Sequence, residues 1–575
     1  MKKNRKILQP DIEIVRHLGK TLECDPVTAT ILVNRKIISP EKAFIFLNPS
    51  LNSIGSPFSI KDMDAAVNRI DTAITNHEKI LIFGDYDVDG ITATTILYDF
   101  FKYIGTDVSY YIPHRSKEGY GLQTSHIPNH ALPKGINLII TVDCGSDSHD
   151  AVKAAHKAGI DVIITDHHKI SEPLPPAVAV VNPKRRDCPS GFDNLAGVGL
   201  AFYLLICLRK HLRDKNFWRD RQEPNLKNIC DLVALGTVAD IVPLVDDNRI
   251  LTKTGLEVIN SNTRPGIKAI LEVCGIKKQL STHSIGAEDI AFKLAPRLNA
   301  AGRIDHAKIA VELLTEKNFN TAKEIAVTLN KLNTSRQSCE KDILEEILSH
   351  LNENSHLLEN KALVLSGQGW NEGVLGIVAS RLANRYFRPV VLISIRDGAG
   401  KGSARSIPGF DLYEGFCACF DDLEKFGGHS MAAGLKIKAA NIERFQRNFE
   451  TIVEKMTAPD DFVPELLIDY ELDFDHISDQ LIDELESLQP FGPDNREPLF
   501  TAENIKVADS TLVGGNHRRM VLTQLHGKTQ KSINAIHFNI DTGKPLEENF
   551  DQIVFRLRWN RWNGSKTAQI IIEDT

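Results

Sequence analysis

The chain has 575 residues, enough for about three domains, and its 42% hydrophobic and 25% charged residues are ordinary for a soluble globular protein. No stretch approaches the roughly 18 apolar residues of a membrane span, and the basic N-terminus lacks the apolar centre of a signal peptide, so we expect no membrane partner. Nine cysteines without paired spacing favour a reducing compartment, the cytoplasm. The net charge of −7 does not exclude a nucleic-acid partner, because the charge on one face of a protein matters more than the total.

Residues 1–60 show helical patterns without recognisable chemistry, and a helix is predicted over about 62–77. The first motif that indicates a function comes directly after this helix. An apolar run at 80–83 predicts a buried strand, and it is followed by Asp85, Asp87 and Asp89 and then by a helical pattern. Three carboxylates this close repel one another unless a cation lies between them. The pattern therefore favours a divalent metal site at the carboxyl end of a strand over an acidic surface loop.

Two later strand-like runs also stop at polar residues. The run at 137–142 ends at Asp143, and the run at 161–165 ends at Asp166, His167 and His168. With a strand near 107–112 and a helix near 148–158, the order predicts a parallel sheet with crossover helices. Such sheets place ligands at the carboxyl ends of their strands, so we expect all three acidic stops to share one rim.

The ligand types at this rim narrow the choice of metal. Carboxylates combined with imidazoles suit manganese and are also compatible with zinc or iron. Asp240, which ends the buried helical pattern at 232–238, is a further candidate, because an unpaired acid there would be costly without a cation. Taken alone, Asp240 fits an ordinary helix end equally well.

Basic residues follow in the next part of the chain. Arg297, Asn299 and Arg303 cluster around Pro296 and Gly302, which fits either phosphate binding by guanidinium groups or a solvated helix edge. Residues 319–352 then carry one long helical pattern, about 50 Å at 1.5 Å per residue, which is natural for a connector between two domains.

A second α/β domain is predicted from residue 361, with strands at 362–365 and 390–395 and a helix through 374–386. Lys401, Ser403, Arg405 and Ser406 are expected on a loop before a helix, where hydroxyl, guanidinium and N–H groups would bind an anion. His429 ends a glycine turn at 426–434. Facing a metal site, the two segments would form a substrate clamp.

The C-terminal residues 498–575 predict short β-strands separated by turns. Arg558, Trp559, Arg561 and Trp562 lie close together in the last part of this region. Aromatic rings beside a cationic groove are how small β-barrels hold single strands. An ordinary barrel stabilised by tryptophans is the alternative.

Several motifs together resemble a known family. GDYDVDG (84–90), VDCG (142–145), DHH (166–168) and GTVAD (236–240) are similar to the motifs of the DHH phosphoesterase superfamily. PRLNAAGR, GSARSIPGFDL, FGGHSMAAGL and the terminal WNGSKTAQIIIED narrow the resemblance to the bacterial RecJ family of 5′→3′ exonucleases specific for single-stranded DNA. The similarity spans nearly the whole chain.

The resemblance implies a fold and an activity. The expected fold class is α/β, with an N-terminal helical segment (1–60), a DHH catalytic domain with a parallel sheet (61–318), a connecting helix (319–352), a DHH-associated domain (353–460) and an OB-fold barrel (461–575). The implied reaction is hydrolysis of single-stranded DNA to 5′-mononucleotides in recombination and repair, with two divalent ions, Mn²⁺ preferred and Mg²⁺ as the alternative. A single-strand-binding protein and a helicase are the implied partners, and we expect a monomer.

The family motifs also imply residue roles. The implied metal ligands are Asp85, Asp87, Asp89, Asp143, His167 and Asp240. The implied catalytic residues are Asp87, Asp143, His167 and His168, with His168 beside the scissile phosphate. Substrate contacts are implied for Arg115, Ser403 and Arg405, at the 5′ phosphate, and for Arg297, Arg303 and His429. The implied nucleic-acid contacts of the barrel are Arg558, Trp559, Arg561 and Trp562.

The chain departs from its relatives at two positions. Superfamily members often carry histidine in place of Phe83, so Asp85 is expected to take over that ligand role. Asn371 stands where related exonucleases tend to have histidine, which argues against proton transfer at that position. Two rival functions are a phosphodiesterase or pyrophosphatase for small substrates, such as cyclic dinucleotides or short oligonucleotides, and a non-catalytic binding module.

Overall fold

The structure is a computed structural model that describes residues 3–115, 117–261, 264–276, 284–524, 531–543, 545–562 and 565–575, excluding the Trp562 side chain. The chain begins with strand β1 (Asn4–Ile7) and three short helices, α1 (Ile12–Leu22), α2 (Pro26–Asn34) and α3 (Pro40–Leu47). Asp11, Asp25 and Ser39 each accept a backbone N–H at the start of one helix, the usual N-cap arrangement. Within the described ranges, no helix has both the length and the apolar character needed to cross a membrane.

The first α/β domain is built on a five-stranded parallel sheet. Its strands are β2 (Ile80–Gly84), β3 (Val108–Tyr111), β4 (Leu138–Val142), β5 (Asp161–Thr165) and β6 (Ala179–Val181). Its helices are α4 (Met63–Thr75), α5 (Val88–Tyr103), α6 (His149–Lys157), α7 (Gly197–Asp214), α8 (Cys230–Ala239), α9 (Asp246–Ser261), α10 (Pro265–Val273), α11 (Ala287–Asp289), α12 (Ala295–Ile304) and α13 (Lys308–Thr315). The strand order is β3-β2-β4-β5-β6, so the chain adds β3 on one side of β2 and the later strands on the other. The crevice between β2 and β4, where the order of addition changes, is the ligand position typical of such sheets.

One long helix connects this domain to the next. Helix α14 (Phe319–Glu353) has 35 residues, about 50 Å at 1.5 Å per residue. Its first part packs in the core of the first domain through Ala322 and Leu329, and its last part packs in the second domain through Ile343 and Ile347. The helix is thus a rigid spacer between two separate cores.

The second domain has a mixed sheet of five strands in the order β10-β11-β9-β8-β7. The strands are β7 (Leu363–Gln368), β8 (Val390–Arg396), β9 (Ala399–Arg405), β10 (Lys425–Gly428) and β11 (Ala432–Lys438), and the helices are α15 (Glu372–Tyr386), α16 (Leu412–Ala418) and α17 (Ile442–Met456). The loop predicted for residues 401–405 is wrong, because these residues form the greater part of β9. Alternation along the strand places Lys401, Ser403 and Arg405 on one face.

The C-terminal domain is a closed barrel. After β12 (Glu465–Ile468), β13 (Tyr470–Glu471) and α18 (Asp479–Ser487), it consists of β14 (Phe500–Val513), β15 (His517–Gln524), β16 (Ser532–His537), β17 (Asn549–Trp562) and β18 (Ser565–Asp574). The five long strands follow the order β14-β15-β16-β18-β17, and β17 pairs with β14 to close the ring. Closure removes the free edges of the sheet.

The N-terminal helices pack on this barrel. Leu18, Ile31 and Phe46 share one buried cluster with Phe500 and Phe555 of the barrel. Strand β1 pairs with β12, and Arg5 forms an ion pair of 2.7 Å with Asp574. The two ends of the chain are therefore parts of one structural unit, an arrangement that residues 1–60 alone did not predict.

Candidate active site

The acidic residues predicted at the strand ends meet on one rim of the parallel sheet. Asp85 follows β2, Asp143 follows β4, and His167 follows β5. Asp240 reaches the same place from the end of α8. His167 lies at the centre, because its Nε2 atom is 3.1 Å from Asp143, 3.5 Å from Asp240 and 3.7 Å from Asp89.

Among the residues that the structure describes, three groups of side chains offer metal-ligand atoms within 4.8 Å of one another. They are Asp85, Asp87 and Asp143; Asp89, His167 and Asp240; and Asp143, His167 and His168. All six ligand residues implied by the sequence belong to these groups. Asp143 and His167 each belong to two of them, which is the arrangement expected of residues between two neighbouring cation positions.

Buried ligand atoms without a protein partner are a second sign of a metal centre. Asp85 Oδ1, Asp143 Oδ1 and both ring nitrogens of His167 are buried and form no hydrogen bond of good geometry among the described residues, although Asp143 Oδ1 and His167 Nε2 lie 3.1 Å apart. Leaving such atoms unpaired is costly. Divalent cations bound by oxygen and imidazole ligands would satisfy them, so the residues present fit Mn²⁺ or Mg²⁺.

The carboxyl groups are held where their mutual repulsion is strong. Burial raises the pKa of Asp85 well above its ordinary value, and the charge of Asp87 adds to the shift. Burial and then Asp89 raise the pKa of Asp240 to about 9, and burial lowers the pKa of His167 to about 3. Without a cation, the buried carboxyl groups favour their neutral, protonated form and the imidazole favours its neutral form. A bound cation would reverse the preference of the carboxyl groups, because it stabilises their negative charge.

Asp89 is positioned by a helix that sequence reasoning missed. The first N–H groups of α7 donate to its two oxygens, Gly197 at 2.6 Å and Val198 at 2.8 Å. Burial raises the pKa of Asp89 to about 7 even so. A β-carbon on Gly197 would lie 2.7 Å from Cβ of Asp143, so glycine is required for the close approach of α7 to the acids. The GVG sequence before an apolar helix was the available signal.

His168 is oriented by Asp166, which is a supporting residue and not a member of the three ligand groups. Asp166 Oδ1 accepts from His168 Nδ1 at 2.8 Å, and its other contacts are backbone N–H groups, including that of Ser146 at 2.9 Å. Burial disfavours a charged imidazole, but the hydrogen bond to Asp166 outweighs it and raises the pKa of His168 to about 9. Since Nδ1 is bound to Asp166, the remaining donor of protonated His168 is Nε2.

Tyr120 is a further site residue that sequence reasoning missed. Its hydroxyl donates to the carbonyl oxygen of Asp143 at 3.1 Å and lies 3.0 Å from His168 Nδ1. Its loop also carries Arg115, whose guanidinium lies 4.9 Å from the ring centre of Tyr86. The glycine-bearing sequence EGYGL, which lets a loop fold back on the sheet rim, was the only signal for it.

A cavity of about 750 Å³ opens between the two α/β domains, and its wall includes Arg115, whose charge acts on Asp85. Arg115 and Arg303 line it from the first domain, and Ser403 lines it from β9 of the second. Burial and then the charge of Arg115 lower the pKa of Arg303 to about 9. Arg405, next to Ser403 on the same strand face, also has its pKa lowered, first by burial and then by Arg115. Converging guanidinium groups that repel one another form a site for an anion.

Asn371 has a structural role at the wall of this cavity. Its side chain accepts the N–H of Gly373 at 2.9 Å and so caps α15. Arg303 donates to the carbonyl oxygen of Gly373 at 3.0 Å, which joins the two domains at the same turn. An asparagine amide has no pKa near neutral pH and cannot act as a general acid or base, so we expect no proton-transfer role at this position.

The structure separates Arg297 from Arg303. Arg297 donates to Asn330 of α14 at 2.9 Å and to the carbonyl oxygen of Lys293 at 2.6 Å. Asn299 instead lies at the metal rim, where its side chain accepts the N–H of Val88. His429 lies in the turn between β10 and β11, and burial and then the charges of Lys169 and His168 of the first domain lower its pKa.

The basic residues of the barrel form ion pairs within the chain. Arg558 pairs with Glu497 and, at 2.6 Å, with Glu288 of the first domain. Arg561 pairs with Glu486 at 2.5 Å, and the ring nitrogen of Trp559 donates to Asp483 at 2.7 Å. The side chain of Trp562 lies outside the described residues. These contacts make the predicted barrel residues part of the surface where the barrel meets α18 and the first domain.

Family models match three parts of the chain. They describe a DHH family N-terminal domain over residues 79–237, a DHHA1 domain over 359–455 and a RecJ OB domain over 468–574. Together with the parallel sheet, the connecting helix and the closed barrel, they confirm the predicted fold class.

Individual proteins match over nearly the full chain. The single-stranded-DNA-specific exonuclease RecJ of Bacillus subtilis is 36% identical over 577 residues, which cover 99% of this chain and 70% of that protein. The crystal structure of RecJ from Thermus thermophilus in complex with Mn²⁺ has a TM-score of 0.83 at 28% identity and covers 99% of this chain and 79% of the other. The Mg²⁺ complex of RecJ from that organism has a TM-score of 0.75 at 27% identity, covering 99% and 78%.

Proposed function

This chain belongs to the RecJ family of single-stranded-DNA-specific exonucleases, and from that premise we propose that it removes 5′-mononucleotides stepwise from the 5′ end of single-stranded DNA, in recombination and repair. The observation that carries the proposal is the direct neighbourhood of a carboxylate–imidazole centre and an arginine cavity in one interdomain cleft. Arg115 contributes to both, since its charge acts on Asp85 and on Arg405. A terminal phosphate in the cavity would thus place a phosphodiester at the acids.

The cofactor is a pair of divalent ions, Mn²⁺ or Mg²⁺, which Asp85, Asp87, Asp89, Asp143, His167 and Asp240 would hold. When bound, the ions would supply a nucleophile from water near neutral pH and neutralise charge on the phosphate and the leaving oxygen. Protonated His168, fixed by Asp166, would donate its Nε2 hydrogen to a phosphate oxygen as negative charge develops there. Tyr120 would keep the His168 ring in this orientation.

The other contacts would fix the strand for in-line attack. Arg115, Ser403 and Arg405 would bind the terminal 5′ phosphate, and Arg303 and His429 would bind the strand next to it. Arg297 would contact the strand only after releasing Asn330. A cleft between two packed domains would admit one strand and exclude a duplex, which would give strand selectivity by size.

The barrel would hold the strand beyond the cleft. Arg558, Trp559, Arg561 and Trp562 stay the predicted contacts, and for the two arginines phosphate would have to replace the present carboxylate partners. This exchange would make binding depend strongly on salt. A single-strand-binding protein and a helicase as partners, a monomeric state and a cytoplasmic location are parts of the same proposal.

The test follows single-stranded DNA labelled at either end in the presence of Mn²⁺, Mg²⁺ or EDTA. We expect metal-dependent release of mononucleotides from the 5′ end, with blunt duplex spared. Release from the 3′ end would overturn the polarity. Intact DNA together with rapid hydrolysis of dinucleotides would move the function to small phosphodiesters, and intact substrates with retained DNA binding would make the chain a binding module.

A further inference from the structure

The loop at residues 488–496, between α18 and the barrel, contacts the segment through which the chain leaves Asp240. The N–H of Leu244 donates to the carbonyl oxygen of Pro493 at 2.9 Å. Leu244 is 2% exposed, and a β-carbon on Gly492 would lie 2.6 Å from its Cδ1 atom. The loop therefore fits closely against a residue that is only four positions from a metal ligand of the proposed site.

Arg249 joins the same loop to the first turn of α9. The side chain is 1% exposed and donates to four carbonyl oxygens, those of Phe46 (2.9 Å), Ser487 (3.0 Å), Leu488 (2.8 Å) and Pro490 (3.4 Å). Asn495, also buried, donates to the last two of these oxygens. Without Arg249, the carbonyl oxygens of Phe46 and Ser487 would lose this donor, and Asn495 alone would hold those of Leu488 and Pro490, so the loop would be less firmly fixed.

The segment between these anchors is short and bent. Ile241, directly after Asp240, has a φ of 61° and a side chain that is 72% exposed. The left-handed region is unfavourable for a β-branched residue, so neighbouring contacts must hold it there. On one side the N–H of Ile241 donates to the carbonyl oxygen of Val238 in α8 at 3.4 Å, and on the other side the anchors are Leu244 and Arg249.

The same segment also supports Asp89, the other carboxylate of the ligand group that contains His167 and Asp240. Asn248 donates to the carbonyl oxygens of Pro243 at 3.0 Å and of Asn194 at 2.6 Å. Asn194 stands just before α7, whose first N–H groups hold Asp89. Displacement of the 241–249 segment would thus change the separation of Asp240 and Asp89 from His167.

We propose that the 488–496 loop positions Asp240 for metal binding, with Arg249 and Gly492 as the positioning residues. The inference rests on the proposed ligand set. It makes the barrel half of the molecule a determinant of metal affinity in the catalytic half, although no barrel residue belongs to the three ligand groups.

The experiment measures Mn²⁺ binding to the full chain from the electron paramagnetic resonance signal of free Mn²⁺. We expect Arg249→Met to weaken binding about tenfold or more, as loss of a group that supports a ligand does in other metal sites. Removing a positive charge would by itself strengthen cation binding, so a weaker affinity has to come from geometry. Gly492→Ala, which presses a methyl group on Leu244, is the second variant and should act in the same direction.

Arg264→Met is the matched control. The Arg264 side chain is 11% exposed and pairs at 3.1 Å with both Asp231, near the start of α8, and Asp99 of α5, and its replacement removes the same charge. We expect it to lower the thermal stability of the metal-free protein comparably without changing Mn²⁺ affinity. Equal weakening by both arginine variants would overturn the inference, because general loss of stability would then explain the result.

Asp240→Asn separates this inference from the ligand assignment. If Asp240→Asn leaves Mn²⁺ affinity unchanged, the proposed ligand set is wrong and the inference falls with it. If Asp240→Asn weakens binding, Arg249→Met should add no further loss in that background. A full additional loss, or no effect of Arg249→Met and Gly492→Ala in the parent chain, would refute the positioning role while leaving the proposed function intact.

Discussion

Replacement of Arg405 by methionine should separate recognition of the 5′ end from hydrolysis. Arg405 lies on the strand face of Ser403, donates to the carbonyl oxygen of Ala404 at 2.7 Å, and feels the charge of Arg115. Its remaining N–H groups are the donors we assign to the terminal phosphate. Methionine keeps most of the apolar stem and removes these donors, so the cavity wall should stay in place.

The magnitude follows from the type of bond lost. A hydrogen bond to a charged group contributes about 1.5–3 kcal/mol, and about 1.4 kcal/mol corresponds to a factor of ten. We therefore expect kcat/KM on 5′-phosphorylated single-stranded DNA to fall roughly 10- to 150-fold. The metal-free variant should at the same time be slightly more stable than the parent, because repulsion between Arg405 and Arg115 is gone.

The assay compares one oligonucleotide carrying either a 5′ phosphate or a 5′ hydroxyl, at saturating Mn²⁺. The loss should appear with the phosphate and be nearly absent with the hydroxyl. Arg444→Met is the matched control, because Arg444 lies on α17 of the same domain and pairs with Asp422, outside the cavity. An equal loss on both substrates would show that Arg405 does not read the terminal phosphate.

Three further predictions concern the acids and the barrel. Asp143→Ala should abolish hydrolysis while single-strand binding stays measurable, and retained turnover would contradict its role. The metal-free protein should lose stability as pH rises from 3.8 through about 7 for Asp89 and about 9 for Asp240, because the folded state then binds more protons than the unfolded state. Thermal unfolding at a series of pH values measures this loss, and saturating Mn²⁺ should remove the dependence of stability on pH. A stability that rises with pH in the metal-free protein would refute the prediction. Trp559→Ala combined with Arg561→Met should weaken binding of long strands and spare short ones in a fluorescence titration, and unchanged affinity for long strands would exclude the barrel contact.

The residues of the metal rim could be predicted because they follow from local patterns. Asp143 and Asp166 come directly after β-branched runs, Asp85 comes directly after the strand 80–84, and parallel strands bring their carboxyl ends to one edge. The family, the exonuclease class and the divalent cofactor predicted from these motifs are confirmed by the similarity to RecJ proteins. The assignment of individual ligands stays a prediction that the geometry supports.

Features that depend on distant parts of the chain could not be predicted. The support of Asp89 by α7 joins residues 108 and 109 positions apart, and the Arg558–Glu288 pair joins residues 270 apart. A cationic and aromatic sequence looks the same whether its partner is a phosphate or a carboxylate. The strand at 399–405 was mistaken for a loop because glycine and serine weaken its pattern, while pairing with β8 and β11 on both sides stabilises it.

The shared core of the N-terminal helices and the barrel has a consequence for synthesis on the ribosome. The apolar faces of Leu18 and Phe46 are made first, but their partners in the barrel emerge about 450 residues later, roughly 20–90 s at ordinary elongation rates. Both α/β domains can fold within that interval. The nascent chain therefore carries an uncovered apolar segment until the barrel strands have emerged, so we expect the N-terminal segment to dock only after the barrel has folded.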